Sequence, residues 1–236
     1  IQGRDLEDFR NRDAQPVAII RHPDIRRNLL WMKAHVEGLR ALIYYCWNLT
    51  DRAKIAASEE EQTQLMDLVG LITPIIKGYG SERGYDVCVQ AIQVFGGAGY
   101  TRDYPVEAIA RDCKITSIFE GCTGIQALDL LGRKLGMKKG QYFMALLEEM
   151  NKTVAAAKAV PALEAMALTL EKAVNRLGET ALHLGQTAMS ANFRTAFAHA
   201  TPFQEVMGDV IMAWMLLWRA SVAAKPLEKL LNGLDA

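Results

Sequence analysis

Apolar side chains recur at intervals of three and four residues over most of this 236-residue chain, and this spacing restricts the fold to helices. The clearest run begins at "HPDIRR", where Pro23 suits a first helical turn. Its apolar face consists of Ile25, Leu29, Met32, Val36, Leu39 and Ile43. Alternating patterns typical of strands are scarce, so we predict an all-α fold.

A second long helix is predicted from about residue 58, because Ser58 and Glu61 have the spacing of a capping box. Its apolar stripe continues to Tyr79, and Pro74 is expected to kink it. The segment "FGGAGYTRDYP" contains three glycines and a proline, which predict a turn at about residues 96 to 104. The second helix is therefore expected to run antiparallel to the first and to end at this turn.

Two shorter helices follow the glycine-rich turn. The first is predicted to start near Pro105 and to end at about Ile118. The second is predicted to continue to about Leu135, after a helix cap formed by Thr123 and Gln126. Short connections between such helices are typical of antiparallel bundles.

These elements divide the chain into three parts. Residues 1–19 are predicted to be a lead-in or linker, and residues 20–138 an antiparallel four-helix up-and-down bundle. Residues 139–236 are predicted to form a second helical subdomain, which extends the bundle toward the C-terminus. Helix breaks in this subdomain are expected near Pro161, Pro202 and Pro226.

Composition disfavours several classes of protein. About half of the residues are apolar, which is enough for a substantial core, and the 27 basic residues balance the 27 acidic ones without long blocks of either sign. Nucleic acid is therefore not an expected partner. No apolar stretch reaches roughly 18 residues, and "IQGRDLEDFR" is too polar for a signal peptide, so we expect a cytoplasmic protein without a membrane span.

The cysteines and histidines do not form a recognisable site. The four cysteines have no C-x-x-C spacing and are expected to be free thiols. The four histidines are dispersed, with no pair at a metal-ligand spacing, so no metal is predicted.

Glu120, in "TSIFEGCTGIQ", has two interpretations. An isolated glutamate is usually an ordinary solvated charge. This glutamate follows Ile118 and Phe119, and apolar neighbours would raise the pKa of its carboxyl toward the range of a useful base. The local sequence alone leaves both interpretations open.

The turn "QVFGGAGY" is equally ambiguous. Glycines commonly end helices, but paired glycines also let a backbone approach a ligand closely, because they carry no Cβ. The pattern is neither a Walker loop nor a dinucleotide fingerprint, since a helix rather than a strand precedes it.

The two motifs gain meaning when residues 93–126 are taken together. "QVFGGAGYTRDYPVEAIARDCKITSIFEGCTGIQ" resembles the C-terminal helical domain of acyl-CoA dehydrogenases, where these motifs occur in the same order. The resemblance covers about residues 20 to 138, and the remaining residues resemble the extra helical domain of the bacterial long-chain branch.

The resemblance implies a chemical role for Glu120. In this family the glutamate at that place is the base that removes the α-proton of an acyl-CoA thioester, while the β-hydrogen leaves as hydride to a flavin. Its backbone N–H helps to polarise the thioester carbonyl. Phe119, Glu120 and Gly121 are accordingly expected to lie at the substrate.

The resemblance also implies FAD as cofactor. Gln93, Gly96 and Gly97 are expected to contact the adenosine-diphosphate part of a flavin held mainly by a neighbouring subunit, so a homodimer or homotetramer is expected. Cys122 and Gly124 are the other expected flavin contacts. Cys122 replaces the usual threonine and cannot repeat its strong hydroxyl hydrogen bond.

The implied reaction belongs to fatty acid metabolism (β-oxidation) in the bacterial cytoplasm. Acyl-CoA would be the substrate and an electron-transferring flavoprotein the electron acceptor. Two alternatives stay open: a non-catalytic helical interaction or oligomerisation module derived from the family, and an acyl-CoA oxidase. The family's N-terminal and middle domains are not among these residues, so the isolated chain is expected to be inactive.

Overall fold

The computed structural model describes residues 1–234, apart from the side chains at position 225 and at positions 227–234. Within this part of the chain the regular structure is helical throughout and contains no strand, so the predicted all-α fold is confirmed. The last two residues of the predicted 139–236 subdomain lie outside the described residues.

Ten α-helices are described in residues 1–234, several of them joined end to end by tighter or wider turns. In chain order, α1 to α10 are Pro23–Lys54, Glu59–Pro74, Gly80–Phe95, Gly97–Tyr100, Val106–Lys114, Thr123–Asp129, Gln141–Lys158, Glu164–Ala188, Phe193–Ala198 and Ala200–Leu234. Ile75–Tyr79, the π turn, connects α2 to α3, and Leu130–Lys134 extends α6 in the same wider winding.

The start of α2 matches its predicted cap. Ser58 accepts a hydrogen bond from the Glu61 N–H at 3.2 Å, and the Glu61 carboxylate accepts one from the Ala57 N–H at 3.1 Å. Pro74 does not break this helix. The backbone widens into the π turn directly after the proline, which lacks an N–H and cannot donate a normal helical bond.

The expected break near Pro202 is present, because α9 ends at Ala198 and α10 begins at Ala200. The expected break near Pro226 is wrong, because α10 runs through that residue. Pro202 lies in the first turn, where the missing N–H would have no intrahelical partner. The break near Pro161 is correct, since a short 3-10 turn at Pro161–Leu163 separates α7 from α8.

One hydrophobic core passes through both halves of the chain. α10 packs on α1, α6, α7 and α8, and its Trp214 is 1% exposed. The Trp214 indole donates a hydrogen bond to the Thr153 hydroxyl of α7 at 2.8 Å. The helix predicted to belong to the second subdomain therefore completes the core of the first, and the division at residue 138 stays a prediction.

By length and composition alone, residues Ala200–Ala224 of α10 could cross a membrane. The same residues include Met207, Ile211 and Trp214, whose side chains fill the core. Packing within the chain therefore accounts for the apolar character of that face.

Candidate active site

Glu120 lies in an exposed loop, residues 118–122, between a 3-10 turn at Ile115–Ser117 and the start of α6. The loop is called the Glu120 loop below. Glu120 has a φ of 55° and Gly121 a φ of 84°. Only glycine adopts such values without steric cost, so a glutamate here holds a strained backbone that the surrounding contacts must maintain.

The backbone N–H of Glu120 is available to a ligand. Within the described residues it donates to no protein acceptor, whereas the preceding Phe119 N–H donates to the Ile115 carbonyl at 3.1 Å. The carbonyls of Glu120 and Gly121 each accept a hydrogen bond from the Gln126 side chain at 3.4 Å. The carbonyls of Glu120 and Gly121 are thus anchored by Gln126, while the Glu120 N–H has no acceptor among the described residues.

The Glu120 side chain is exposed, and so are its apolar neighbours. Ile118 is 56% exposed and Phe119 is 45% exposed, so they do not form the apolar surroundings expected from the sequence. Within the described residues this carboxylate is therefore open to solvent.

The predicted cap formed by Thr123 and Gln126 is wrong. Cys122 occupies the cap position and its side chain makes no capping bond, whereas Thr123 is already the first helical residue. The Thr123 hydroxyl instead donates to the Glu82 carboxylate of α3 at 2.7 Å. The Gln126 side chain instead donates to the Glu120 and Gly121 carbonyls of the Glu120 loop.

Glu82 is a fixed anchor beside the loop. Its carboxylate also accepts a hydrogen bond from Lys114 Nζ at 3.2 Å, so it joins α3 to both ends of the segment that carries Glu120. Partial burial raises the pKa of the Glu82 carboxyl, but the hydrogen bonds from Thr123 and Lys114 outweigh it and hold that pKa below its ordinary value.

We expect Glu82→Gln to lower the stability of the chain at neutral pH but not in acid. The pKa of Glu82 is lower in the folded state, so its ionised form stabilises the fold above the unfolded value of 4.5, and that stability is lost as the pH falls through the folded pKa. Denaturant unfolding of both proteins from about pH 7 down to about pH 2 should show the two midpoints converge.

Glu205 provides the matched control, since it is an exposed carboxylate with no ion pair or side-chain hydrogen bond among the described residues. Glu205→Gln should shift the midpoint little at any pH. A Glu82→Gln difference that persists undiminished in acid would contradict the assigned role of the carboxylate.

Lys77 holds the other side of the loop. This residue of the π turn donates to the Thr116 carbonyl at 2.5 Å, and its ammonium group lies 5.3 Å from the centre of the Phe119 ring. A cation over an aromatic face is attracted by the ring quadrupole. Lys77 therefore contacts the residue next to Glu120.

The residues expected at FAD form two groups that this chain does not bring together. Cys122 and Gly124 adjoin Glu120, near Glu82 at the start of α3. Gln93, Gly96 and Gly97 lie at the far end of α3. The 11 residues from Glu82 to Gln93 span about 16 Å along a helix.

Gly96 and Gly97, at the far end of α3, have the open surface that a nucleotide needs. A Cβ built on Gly96, Gly97 or Gly124 would meet nothing within 4 Å, and Gly96 has a φ of 64°. Gly99 differs, because a Cβ there would lie 2.7 Å from the Ile92 carbonyl. Gly99 thus allows the turn to close, while Gly96 and Gly97 expose bare backbone to a ligand.

Lys77 and Glu82 were missed by the sequence reasoning. They precede Glu120 by about forty residues, and no local motif links them to it. The usable signal was their spacing. Lys77 of the π turn and Glu82 of α3 are five residues apart on the helical stretch from α2 to α3, and both contact the segment that carries Glu120.

Comparison with known proteins identifies the class that this fold and site define. The family model described as "Acyl-CoA dehydrogenase, C-terminal domain" matches residues 4–135, which is more than half of the chain. A second model, "Acetyl-CoA dehydrogenase C-terminal like", matches residues 146–234. The chain belongs to the acyl-CoA dehydrogenase family, as its motifs predicted.

Individual relatives match almost the whole chain. It is 33% identical to the broad-specificity linear acyl-CoA dehydrogenase FadE5 of Mycobacterium tuberculosis, over 97% of this chain and 38% of that protein. It is 35% identical to a butyryl-CoA dehydrogenase of Syntrophomonas wolfei, over 91% of this chain and 35% of that protein. The chain therefore spans little more than a third of the length of these relatives.

Solved structures share the fold. Caenorhabditis elegans ACDH-11, in a complex with C11-CoA, superposes with a TM-score of 0.71 over 84% of this chain and 33% of its own, at 21% identity. The apo form of Bd2924 superposes with a TM-score of 0.64 over 88% of this chain and 36% of its own, at 20% identity. At these identities the likeness shows the architecture alone.

Proposed function

We propose that this chain is the C-terminal part of an FAD-dependent acyl-CoA dehydrogenase that converts a fatty acyl-CoA to its trans-2-enoyl-CoA, with Glu120 as the base. The observation that carries this proposal is the conformation of Glu120. A non-glycine residue with positive φ, in an exposed loop fixed from two sides, fits a side chain held in place for chemistry.

The Glu120 loop supplies two functions to the reaction. The carboxylate takes the proton from the α-carbon of the acyl chain, and the free backbone N–H of the same residue donates a hydrogen bond to the thioester carbonyl oxygen. Polarising that carbonyl makes the α-hydrogen more acidic. Both groups come from one residue, so fixing its backbone fixes their relative positions.

Exclusion of water falls to parts of the enzyme outside this chain. Glu120 and Phe119 are exposed here, and a carboxylate in water is a weak base for a carbon acid. This chain covers only 38% of one relative and 35% of another, so most of each relative lies outside it. We infer that their additional domains cover the Glu120 loop when the enzyme is complete.

Gln93, Gly96 and Gly97 would hold the adenosine-diphosphate part of FAD, and Cys122 and Gly124 its inner part. Bound FAD supplies the acceptor for the hydride from the β-carbon. Sharing of FAD between the subunits of a homodimer or homotetramer, which the family resemblance implies, is part of this proposal.

The proposal is tested on the holoenzyme that contains this chain. We expect it to purify yellow and to lose its flavin absorbance when acyl-CoA is added without oxygen, because the electrons remain on the cofactor. Recovery of colour with an electron-transferring flavoprotein would identify the acceptor. A colourless protein that leaves a panel of acyl-CoA chain lengths unchanged would overturn the enzyme assignment in favour of an interaction module.

The same experiment separates the dehydrogenase from an acyl-CoA oxidase. Rapid recovery of colour in air with release of hydrogen peroxide would indicate the oxidase. The positive φ of Glu120 fits either enzyme, but Lys138 and Lys139 also have positive φ, so the flavin and turnover measurements decide between an enzyme and a non-catalytic module. Location in the bacterial cytoplasm remains part of this proposal.

A further inference from the structure

The C-terminal helix α10 contacts the π turn at a buried polar point. Gln204 of α10 is fully buried, and its side-chain amide donates a hydrogen bond to the Pro74 carbonyl at 3.0 Å. Gly78 leaves room for it, because a Cβ there would lie 2.5 Å from the Gln204 amide nitrogen. Among the described residues the buried Gln204 Oε1 has no hydrogen-bond partner, so the bond from the amide nitrogen to Pro74 is the polar contact that fixes one register between the two elements.

A second contact lies at the other end of the π turn. The Tyr79 hydroxyl donates to the Asp209 carboxylate of α10 at 2.7 Å, and the Arg83 guanidinium lies 5.1 Å from the Tyr79 ring centre. The ring packs directly on Gly208, where a Cβ would come within 2.2 Å of it. α10 therefore holds the π turn at both of its ends.

Lys77 lies between these two contacts in the chain, and its side chain contacts the segment before Glu120. It donates to the Thr116 carbonyl and covers the Phe119 ring, so it is the described side chain that links the π turn to the segment before Glu120. A shift of the π turn along α10 would move Lys77 and release that segment. The chain of contacts is continuous from Gln204 to the residue next to Glu120.

We propose that α10 is a positioning element for the active site. Its contacts with the π turn, through Gln204 and Tyr79, fix the position of Lys77, and Lys77 in turn holds the Glu120 loop in its strained conformation. Control of the Glu120 loop by α10 does not depend on the function proposed above. The expected effect on catalysis does rest on that function. It gives the C-terminal extension a role in the reaction beyond filling the core.

Lys77 is expected to control the Glu120 loop because the other hydrogen bonds that hold this loop are long or lie after Glu120. Gln126 makes two long bonds of 3.4 Å to the Glu120 loop, and the firm Thr123–Glu82 bond acts after Glu120. On the side before Glu120, Glu82 accepts a hydrogen bond from Lys114 at 3.2 Å, but the Lys77 bond to the Thr116 carbonyl lies closer to Glu120 in the chain. Because a catalytic base tolerates little displacement, this one contact is expected to affect rate.

Hydrogen exchange tests the link without any need for activity. In the holoenzyme, Lys77→Met and Gln204→Met should each raise exchange of the backbone amides of residues 116–121 by about 2- to 10-fold, the effect of losing one hydrogen bond. Thr153→Val is the matched control, because it removes another α10 bond, to Trp214, that does not touch the π turn. Unchanged exchange at 116–121 in Gln204→Met would overturn the proposal.

Global loosening is separated from the specific effect by exchange within α8 in the same samples. Equal acceleration in α8 and in residues 116–121 would also overturn the proposal, since it would show a general loss of stability. Acceleration confined to residues 116–121 would support it. The Lys77→Met/Gln204→Met double variant should exchange no faster there than Lys77→Met alone, because both act through one contact.

Steady-state kinetics distinguish a positioning role from a merely structural one, because a merely structural role would not change kcat in this way. Gln204→Met should lower kcat by about 2- to 10-fold with little change in KM for acyl-CoA, and Thr153→Val should not. A Gln204→Met enzyme with wild-type kcat would contradict a positioning role. An inactive wild-type holoenzyme would refute the proposed function instead, and the exchange results would still decide whether α10 controls the loop.

Discussion

Replacing Glu120 by glutamine in the holoenzyme is expected to lower turnover by about 10²- to 10⁴-fold while FAD and acyl-CoA binding persist. Glutamine keeps the size of the side chain and the backbone N–H, so the loop and the carbonyl contact should survive. It cannot accept the α-proton. Steady-state turnover, with flavin content and acyl-CoA affinity measured by titration on the same samples, separates loss of the base from loss of binding.

Two further variants sharpen this result. Glu120→Asp keeps a carboxylate but withdraws it by one methylene, so it should retain more activity than Glu120→Gln. Glu205→Gln makes the same chemical change at an exposed position on α10 and should leave turnover near wild type. Turnover of Glu120→Gln near that of the wild type would show that another residue is the base.

The largest effect on stability is expected from Gly208→Ala. Its new methyl carbon would lie 2.2 Å from a Tyr79 ring atom, and this ring is 2% exposed and bonded to Asp209. Because the ring cannot move into solvent, α10 must shift away from the π turn. Overpacking of this kind typically costs about 1–3 kcal/mol, and we expect the upper part of that range.

Gly185→Ala is the matched control within another helix. A Cβ on Gly185 of α8 would meet nothing within 4 Å, so the change should stabilise the chain by about 0.5–1 kcal/mol through helix propensity. Denaturant midpoints of the two variants should move in opposite directions. If Gly208→Ala were as stable as the wild type, the close packing of α10 on the π turn would be wrong.

Local sequence signals predicted helix boundaries correctly where a single capping residue or proline determines the boundary. The cap at Ser58 and Glu61 and the break near Pro161 are both present. The same kind of reasoning failed at Thr123, which has the spacing of a cap in the sequence but is the first residue of α6, and whose hydroxyl donates a hydrogen bond to Glu82 of α3. It failed again at Pro226, where α10 continues through the proline.

The predicted site residues are separated rather than assembled by this chain. The family resemblance implied that Gln93, Gly96 and Gly97 contact a flavin held mainly by a neighbouring subunit, and in the structure Gln93 lies about 16 Å along α3 from Glu82, which contacts the segment that carries Glu120. Periodicity and motifs say nothing about that distance. The assignment of each residue to FAD or to substrate therefore remains a prediction that the complete oligomer would test.

By itself the sequence determined the all-α class, the family, and Glu120 as the candidate base, because periodicity and ordered motifs are properties of neighbouring residues. Only the tertiary structure revealed the positive φ of Glu120, its open N–H and its two supports, Lys77 and Glu82. Those features depend on which helices pack together, and α10 meets the π turn 130 residues away in the chain. Contacts at such separations arise from burial of a shared core and leave no local pattern to predict them.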